Sequence, residues 1–340
     1  MDREQKTIED MGEFGFIRSI MKGCLHSPEG VIQGIGDDCA VMGPYGGKVL
    51  LFTTDLLIED RHFLMKKTSP FELGWKAIAV NLSDIAAMGG RARHVFVSLA
   101  IPSHTGATFL NGLYDGMKDL CRRYGVNLLG GDTSSSPGGV FISVAAMGEM
   151  AEEEVLYRKG ASPGDLIYVT GGLGGSAAGL KLLKGELSCP EVSGKALVAL
   201  HNRPEPRLAA GRLIAESRAA SAMIDVSDGL LADLRHICEA SHAGARIFRE
   251  HLPVSGELHS LCRGRDTDPR ELALHGGEDY QLLFTVPRKN RQRIERVMED
   301  AGTCPITRVG EMTKGKEVRV VTGDGAEEER VSEGFDHFRS

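Results

Sequence analysis

Four stretches of this 340-residue chain set aspartates where a sheet could present them together. Asp55 closes the apolar run VLLFTTD, Asp132 closes NLLGGD, Asp225 and Asp228 close AMIDVSD, and Asp37 and Asp38 stand in the glycine-rich turn GIGDDCA. Ligands of open α/β sheets gather at the carboxyl ends of strands. A single aspartate after a strand is equally well explained as a turn former. Asp84 is harder to explain that way, because it lies inside LGWKAIAVNLSDIAAMG, far from any N-cap, with Asn81 three residues earlier on the same helical face. A carboxylate on so apolar a helix needs Arg, Lys or a metal cation to neutralise it. Ser227 or Asp228 could cap the helix that follows, which explains one residue of the DVSD run but not both acids. An all-oxygen set without His or Cys favours magnesium, and several ions would suit a triphosphate.

Other motifs are weaker or absent. TGGLGGSAAG (170–179) satisfies the loose dinucleotide pattern through Gly172, Gly174 and Ala177, yet residues 181–191 do not read as the second strand that pattern requires. A phosphate-facing or tightly packed turn is the better reading. No GxxxxGK[ST] occurs, and no Cys–His or Ser–His constellation is evident. Arg158 beside Lys159 reads either as a solvated linker charge or as a clamp on phosphate oxygens.

The elements that must hold these residues follow from periodicity. Strands are expected at 48–54, 94–101, 126–129 and 140–148, with helices at 71–88 and 107–124, the first stopped by Gly89 and Gly90. After the polar EMAEEE come a strand at 166–170, helices at 175–184 and 205–218, a strand at 222–226 and a helix at 229–241. The chain then continues with a strand at 280–286, a charged helix at 288–301 and strands near 305–310 and 317–321. The pattern predicts an α/β (α+β) chain of two domains, 1–150 and 151–340.

Composition narrows the function. A formal net charge of −7 opposes generic nucleic-acid binding, so any phosphate ligand needs metal ions to offset repulsion. No segment is apolar for the length of a membrane span, and the acidic, polar start MDREQKTIED lacks the features of a secretory signal, which predicts a cytoplasmic protein. Seven dispersed cysteines without a CxxC pair read as reduced thiols.

The motifs GEFGFI (12–17), GIGDDCAV (34–41), TTD (53–55), HF (62–63), AVNLSDIAAMGG (79–90), LLGGDT (128–133), RKGASPGDLIYVTG (158–171), RPEPRL (203–208), IDVSDGL (224–230), GGEDYQLLFTV (276–286) and GFDHF (334–338) resemble those of the thiamine-monophosphate kinase family, in family order and over nearly the whole chain. The resemblance implies ATP-dependent phosphorylation of thiamine monophosphate to the diphosphate, by direct in-line transfer. It also implies a homodimer in which the N-terminal mixed sheets pair, with the C-terminal domain completing the site.

Carried onto this sequence, the resemblance assigns magnesium to Asp38, Thr53, Thr54, Asp55, Asp84, Asp132, Asp225 and Asp228. Among these, Asp38, Asp84, Asp132 and Asp228 would be central to catalysis. It gives the nucleotide Tyr114, Gly131, Asp132, Arg158 and Ser227, and the thiamine moiety His62, Glu278 and Phe335. A glutamate suits the amino group of the pyrimidine, and an aromatic face suits the cationic thiazolium. Arg61 and His275 depart from the family pattern near the implied substrate pocket. Within the same superfamily, a hydrogenase maturation factor is expected to end in cysteine where this chain ends DHFRS, and a selenophosphate synthetase needs a reactive N-terminal Cys that MKGCLH does not resemble. A nucleotide-binding subunit without turnover is the alternative from another class.

Overall fold

In the computed structural model, residues 7–188, 191–263, 265 and 267–329 are described here, so Phe335 and the GFDHF motif lie outside the described residues. The first half contains α1 (Ile8–Ile20), β1 (Val31–Gln33), β2 (Ala40–Tyr45), β3 (Lys48–Ile58), α2 (Pro70–Ala87), β4 (Arg91–Ile101), α3 (Ala107–Tyr124), β5 (Asn127–Ser135) and β6 (Phe141–Ala151). Its strands form one sheet in the order β1-β2-β3-β6-β4-β5, in which β4 and β5 run parallel and the other neighbours antiparallel.

The second half contains β7 (Leu166–Thr170), α4 (Gly175–Lys184), α5 (Glu191–Asn202), α6 (Leu208–Ser217), β8 (Ala222–Asp225), α7 (Leu230–Ser241), β9 (Gly244–Phe248), α8 (Gly256–Cys262), α9 (Pro269–His275), β10 (Leu282–Val286), α10 (Arg291–Ala301), β11 (Ile306–Thr313), β12 (Val318–Val321) and β13 (Glu327–Glu329). These strands form a second mixed sheet in the order β13-β12-β9-β11-β7-β10-β8.

Helix α2 is the keystone of the arrangement. Ser69 and Glu72 close a capping box around its first turn and Pro70 occupies the first helical position, so its start is fixed locally. Beyond that turn it is buried on almost every side, as an all-round apolar helix must be. The larger core explains why. It packs Ile78, Leu82 and Ile85 of α2 with Leu51, Val97 and Ile142 of the first sheet, and the same cluster includes Tyr168, Met223 and Phe284 of the second sheet and Ile214 of α6. The RPEPRL segment helps to dock the two halves: Trp75 donates its indole N–H to the Pro204 carbonyl at 2.8 Å, and the Arg203 guanidinium lies 4.7 Å from the Trp75 ring centre. Apolar burial of this extent is the main term holding the halves together.

The first sheet is covered unequally. Strand alternation turns Val49, Leu51, Thr53, Asp55 and Leu57 of β3 towards α2, and Phe52, Thr54 and Leu56 to the opposite face. On that opposite face Leu56 is 49% exposed, Phe96 45% and the nearby Leu129 55%.

Candidate active site

The sheet ends and α2 converge on a buried cluster of carboxylates. Oxygens of Asp38, Asp84 and Asp225 all lie within 4.8 Å of one another. Each acid comes from a different element: Asp38 from the turn before β2, Asp84 from α2 and Asp225 from the end of β8. Neighbours fix their rotamers. Thr53 donates to Asp84 Oδ2, Ser83 donates to Asp225 Oδ2 at 2.5 Å, and the Asn81 side chain accepts the Asp55 N–H at 3.1 Å. Asn81 and Ser83 are fully buried, so each of these bonds satisfies a group that water cannot reach.

Arg158 is drawn into the same cluster. Its Nε and Nη2 both donate to Asp38 Oδ1, at 3.1 and 2.5 Å, while its backbone N–H donates to Asp37 Oδ1 at 3.2 Å. The solvated-linker reading is therefore set aside: the side chain is 21% exposed and held by a buried acid. The other oxygen of that acid, Asp38 Oδ2, is buried without a hydrogen-bond partner.

The electrostatics show what the cluster lacks. Burial, and then the charges of Asp55, Asp225 and Asp38, hold the Asp84 carboxyl well above the usual carboxylate range. Burial with the Asp38 charge pushes Asp225 up to about 8, burial pushes Asp55 up to about 6, and burial with the Asp38 charge pushes Asp37 up to about 7. Buried Cys39 beside them is also pushed well above its usual value, so it stays a thiol and is no ligand for a hard cation. Like charges this close cannot all ionise without a counter-charge. An all-oxygen set, an orphaned buried carboxylate oxygen and one arginine among the acids fit a divalent hard cation such as magnesium.

Asp228 lies outside the triad. It groups with Asp233 and His236 within 4.8 Å, and the Asp233 carboxylate accepts the Asp228 and Gly229 N–H groups at 3.2 and 3.1 Å. An acid inside α7 thus reaches back to the helix start, where Gly229 is the N-cap and makes no side-chain cap bond, so the cap position itself falls on neither Ser227 nor Asp228. Ser227 is half-buried at the same turn, and its carbonyl accepts the Glu278 N–H at 2.7 Å.

Four other positions lie elsewhere. Thr54 sits on the open face of the sheet, and Asp132, in register with Ser98 of β4, lies on that face of β5. Three strand spacings separate β5 from β3, roughly 14 Å. Gly131 has a structural reason to be glycine, since a Cβ there would lie 1.7 Å from the Val97 carbonyl oxygen. Tyr114 packs from α3 against the first core, with Lys118 Nζ 6.0 Å from its ring centre.

Two of the three implied substrate positions, His62 and Glu278, are joined through Lys76, and the third, Phe335, lies outside the described residues. His62 Nδ1 accepts the Ile58 N–H at 2.9 Å, and Glu278 meets Lys76 at 2.7 Å and His201 at 3.3 Å. Sequence reasoning passed over Lys76 and His201. Arg61 and His275 are both exposed, His275 lying 3.6 Å from Glu271. The TGGLGG turn serves packing: the Asp279 carboxylate accepts the Gly174 and Ser176 N–H groups at 2.6 and 3.1 Å, so the start of α4 is filled by an acid of this chain.

The two halves of this two-sheet α/β chain match the AIR synthase related proteins, the N-terminal domain family over residues 36–150 and the C-terminal domain family over residues 162–323. Thiamine-monophosphate kinase of Bacillus subtilis is 37% identical over 334 residues, covering 97% of this chain and 100% of that protein, and that of Escherichia coli K12 is 38% identical over 331 residues, covering 96% and 98%. The solved structure of AaThiL complexed with AMPPCP and TMP matches with a TM-score of 0.86 at 37% identity, covering 98% of this chain and 99% of that one. The chain belongs to the thiamine-monophosphate kinase family.

Proposed function

We propose that the protein transfers the γ-phosphate of ATP directly to the phosphate of thiamine monophosphate, giving thiamine diphosphate and ADP, in the cytoplasm. The observation that carries this reading is the buried triad of Asp38, Asp84 and Asp225 with its orphaned oxygen, in a family with a solved member that holds AMPPCP and TMP together. Asp38, Thr53, Asp55, Asp84 and Asp225 would hold magnesium, which when bound neutralises phosphate charge and draws the two anions together. Thr53 and Ser83 keep Asp84 and Asp225 aimed at one point, so the site is organised before substrate arrives. Arg158 holds Asp38 and presents its partly exposed edge to phosphate oxygens. The attacking group is already an anion, so no general base is needed and the demand on the protein is positional. No helix among the described residues is long and apolar enough to cross a membrane.

The test is incubation with ATP, magnesium and thiamine monophosphate, with free thiamine and aminoimidazole precursors as rivals. Thiamine diphosphate and ADP should appear in equal amounts only with thiamine monophosphate. ADP release that ignores the acceptor, or no turnover at all, refutes the reading.

The protein is also expected to be a homodimer, paired through the open face of the first sheet. Leu56, Phe96 and Leu129 there form the kind of apolar surface that a second copy covers. On this reading Thr54, Gly131 and Asp132, all on or beside that face, serve the nucleotide at the seam between copies. Light scattering at micromolar concentration should give twice the chain mass, and Phe96→Glu should give monomer. A wild-type monomer sinks the dimer reading.

A further inference from the structure

His62 and Glu278 reach the substrate side of the site from separate loops, and one buried side chain joins them. Lys76, in the second turn of α2, is 1% exposed; its ammonium lies 2.7 Å from Glu278 Oε1 and donates to the His62 carbonyl at 3.1 Å. The other Glu278 oxygen lies 3.3 Å from His201 Nδ1, which is also 3.0 Å from Ser176 Oγ. Glu278 itself is 24% exposed at its side chain, so part of the carboxylate faces outward. Its loop is held in left-handed backbone at two non-glycine positions, Glu278 at φ 62° and Tyr280 at φ 48°. Backbone bonds from their N–H groups to the Ser227 and Val226 carbonyls, at 2.7 and 2.9 Å, keep it there. Such strain persists only where the surroundings determine it.

A lysine buried on an apolar helix contributes little to stability that an apolar side chain would not. This one ties α2, the His62 loop and the Glu278 loop to a single charge. We propose that Lys76 is a positioning residue that fixes Glu278 as a hydrogen-bond acceptor and thereby selects substrates whose heterocycle carries an exocyclic amino group. The proposal rests on the reading of thiamine monophosphate as substrate.

An ionised carboxylate has about four lone-pair sites and no hydrogen to donate. With one site on Lys76 and another facing His201, the outward sites accept, and the ligand must supply the N–H. Burial alone would raise the Glu278 carboxyl, but the Lys76 charge holds it below the usual carboxylate range. His201, pushed down to about 4 by burial and by Lys76, is neutral near pH 7 and acts there as a hydrogen-bond partner rather than a charge. An acceptor fixed in this way discriminates strongly, because a substrate without the donor leaves the outward lone pairs of the carboxylate desolvated and without a hydrogen bond.

The experiment compares wild type with Lys76→Met, using thiamine monophosphate and an analogue whose pyrimidine amino group is replaced by hydrogen. Wild type should prefer the amino substrate by about 100-fold or more in kcat/KM. Lys76→Met should raise KM for thiamine monophosphate by roughly 30-fold, leave kcat within about threefold and KM for ATP unchanged, and reduce the preference below about tenfold. The double variant Lys76→Met/Glu278→Gln removes both charges and separates folding from recognition; it should melt near wild type and show no greater loss of KM and preference than Glu278→Gln alone, because Lys76 acts only through Glu278, and a further loss overturns the proposal. Wild-type KM and preference in whichever variant folds, or a loss shared equally with kcat and the ATP KM, overturns the proposal. So does failure of both Lys76 variants to fold, which would make Lys76 a core residue only. A wild type that does not turn over thiamine monophosphate refutes the functional reading instead, before any variant is compared.

Discussion

Asp84→Asn should lower kcat by about 1000-fold or more while raising the melting temperature of the metal-free protein at pH 8. The catalytic loss follows from geometry: Asp84 lies within 4.8 Å of both Asp38 and Asp225, and an amide is a poor ligand for a hard cation. The gain in stability follows from the sign of the carboxyl shifts. Asp84 sits well above its ordinary value in the folded protein, and its neighbours Asp55 and Asp225 are pushed up to about 6 and about 8. A raised carboxyl binds its proton more tightly folded than unfolded, so its contribution is present below about pH 4 and is lost as pH climbs through the folded values. The metal-free wild type should therefore weaken between about pH 5 and pH 8, and the variant, with one charge fewer, should weaken less. Magnesium reverses the order, because binding to the folded state adds stability by mass action and the variant gains little of it. Calorimetry at pH 5 and pH 8, with and without magnesium, reads all four quantities. If Asp84→Asn melts below the metal-free wild type at pH 8, or keeps normal turnover at limiting magnesium, Asp84 is not a ligand.

Asp84 was legible because it broke a rule. A carboxylate in the middle of an apolar helix asks for a partner, and the structure supplies Thr53 and two further acids. Lys76 broke the same rule eight residues earlier and drew no notice, since a lone lysine in an early turn reads as a side chain that snorkels to solvent. The available signal was that the helix has no exposed face for it to reach. His201 gave no signal: a histidine near the end of α5 reads as surface, and only the fold places it beside Glu278.

The fold divides in the same way. Long periodic runs bounded by glycine were readable to within a few residues, as at α2, α3, β7 and α4. The pieces not foreseen are short or interrupted. In α1, Gly12 breaks the helical backbone at φ 64°. β1 and β2 flank the glycine-rich turn that carries Asp37 and Asp38, while β9, α8 and α9 are five to seven residues long. Strand β13 is likewise short, while helix α5, twelve residues long, is the exception to that pattern. Pairing was out of reach altogether: β3 lies against β6 from Lys48↔Ala151 to Ile58↔Phe141, a contact between segments about a hundred residues apart that no local period encodes. That pairing fixes which of Thr53 and Thr54 faces the acids.

The second large effect expected is on stability, and it comes from the crossing that aims α2. A Cβ on Gly116 of α3 would lie 1.9 Å from the Phe71 carbonyl oxygen, and one on Gly74 of α2 would lie 1.9 Å from the Leu113 carbonyl oxygen. The two glycines are reciprocal: each lets the backbone of the other helix enter the space a side chain would take. Both atoms struck are main chain, so no rotamer change relieves the overlap, and the helices themselves must part. Gly116→Ala gains about 1 kcal/mol of helix propensity. Against that stands overpacking by a rigid backbone, at or above the upper end of the usual range of about 1–3 kcal/mol. The net expectation is a loss of roughly 2–4 kcal/mol, or about 3–6 °C in melting temperature for a chain of this length. Gly112→Ala, one turn earlier in α3, is the control, since its Cβ would meet the Pro70 ring at 3.1 Å and the nearest main-chain atom among its three nearest neighbours, Phe71 N, only at 4.0 Å, and should cost about 1 kcal/mol or less. Activity well below the melting point should fall as well, because displacing α2 moves Lys76, Asn81, Ser83 and Asp84 together, and a shift of about 1 Å in positioning groups can cost about 100-fold in rate. If Gly116→Ala melts at or above wild type, the helices do not cross as closely as described, and α2 is not what sets the spacing of the acids.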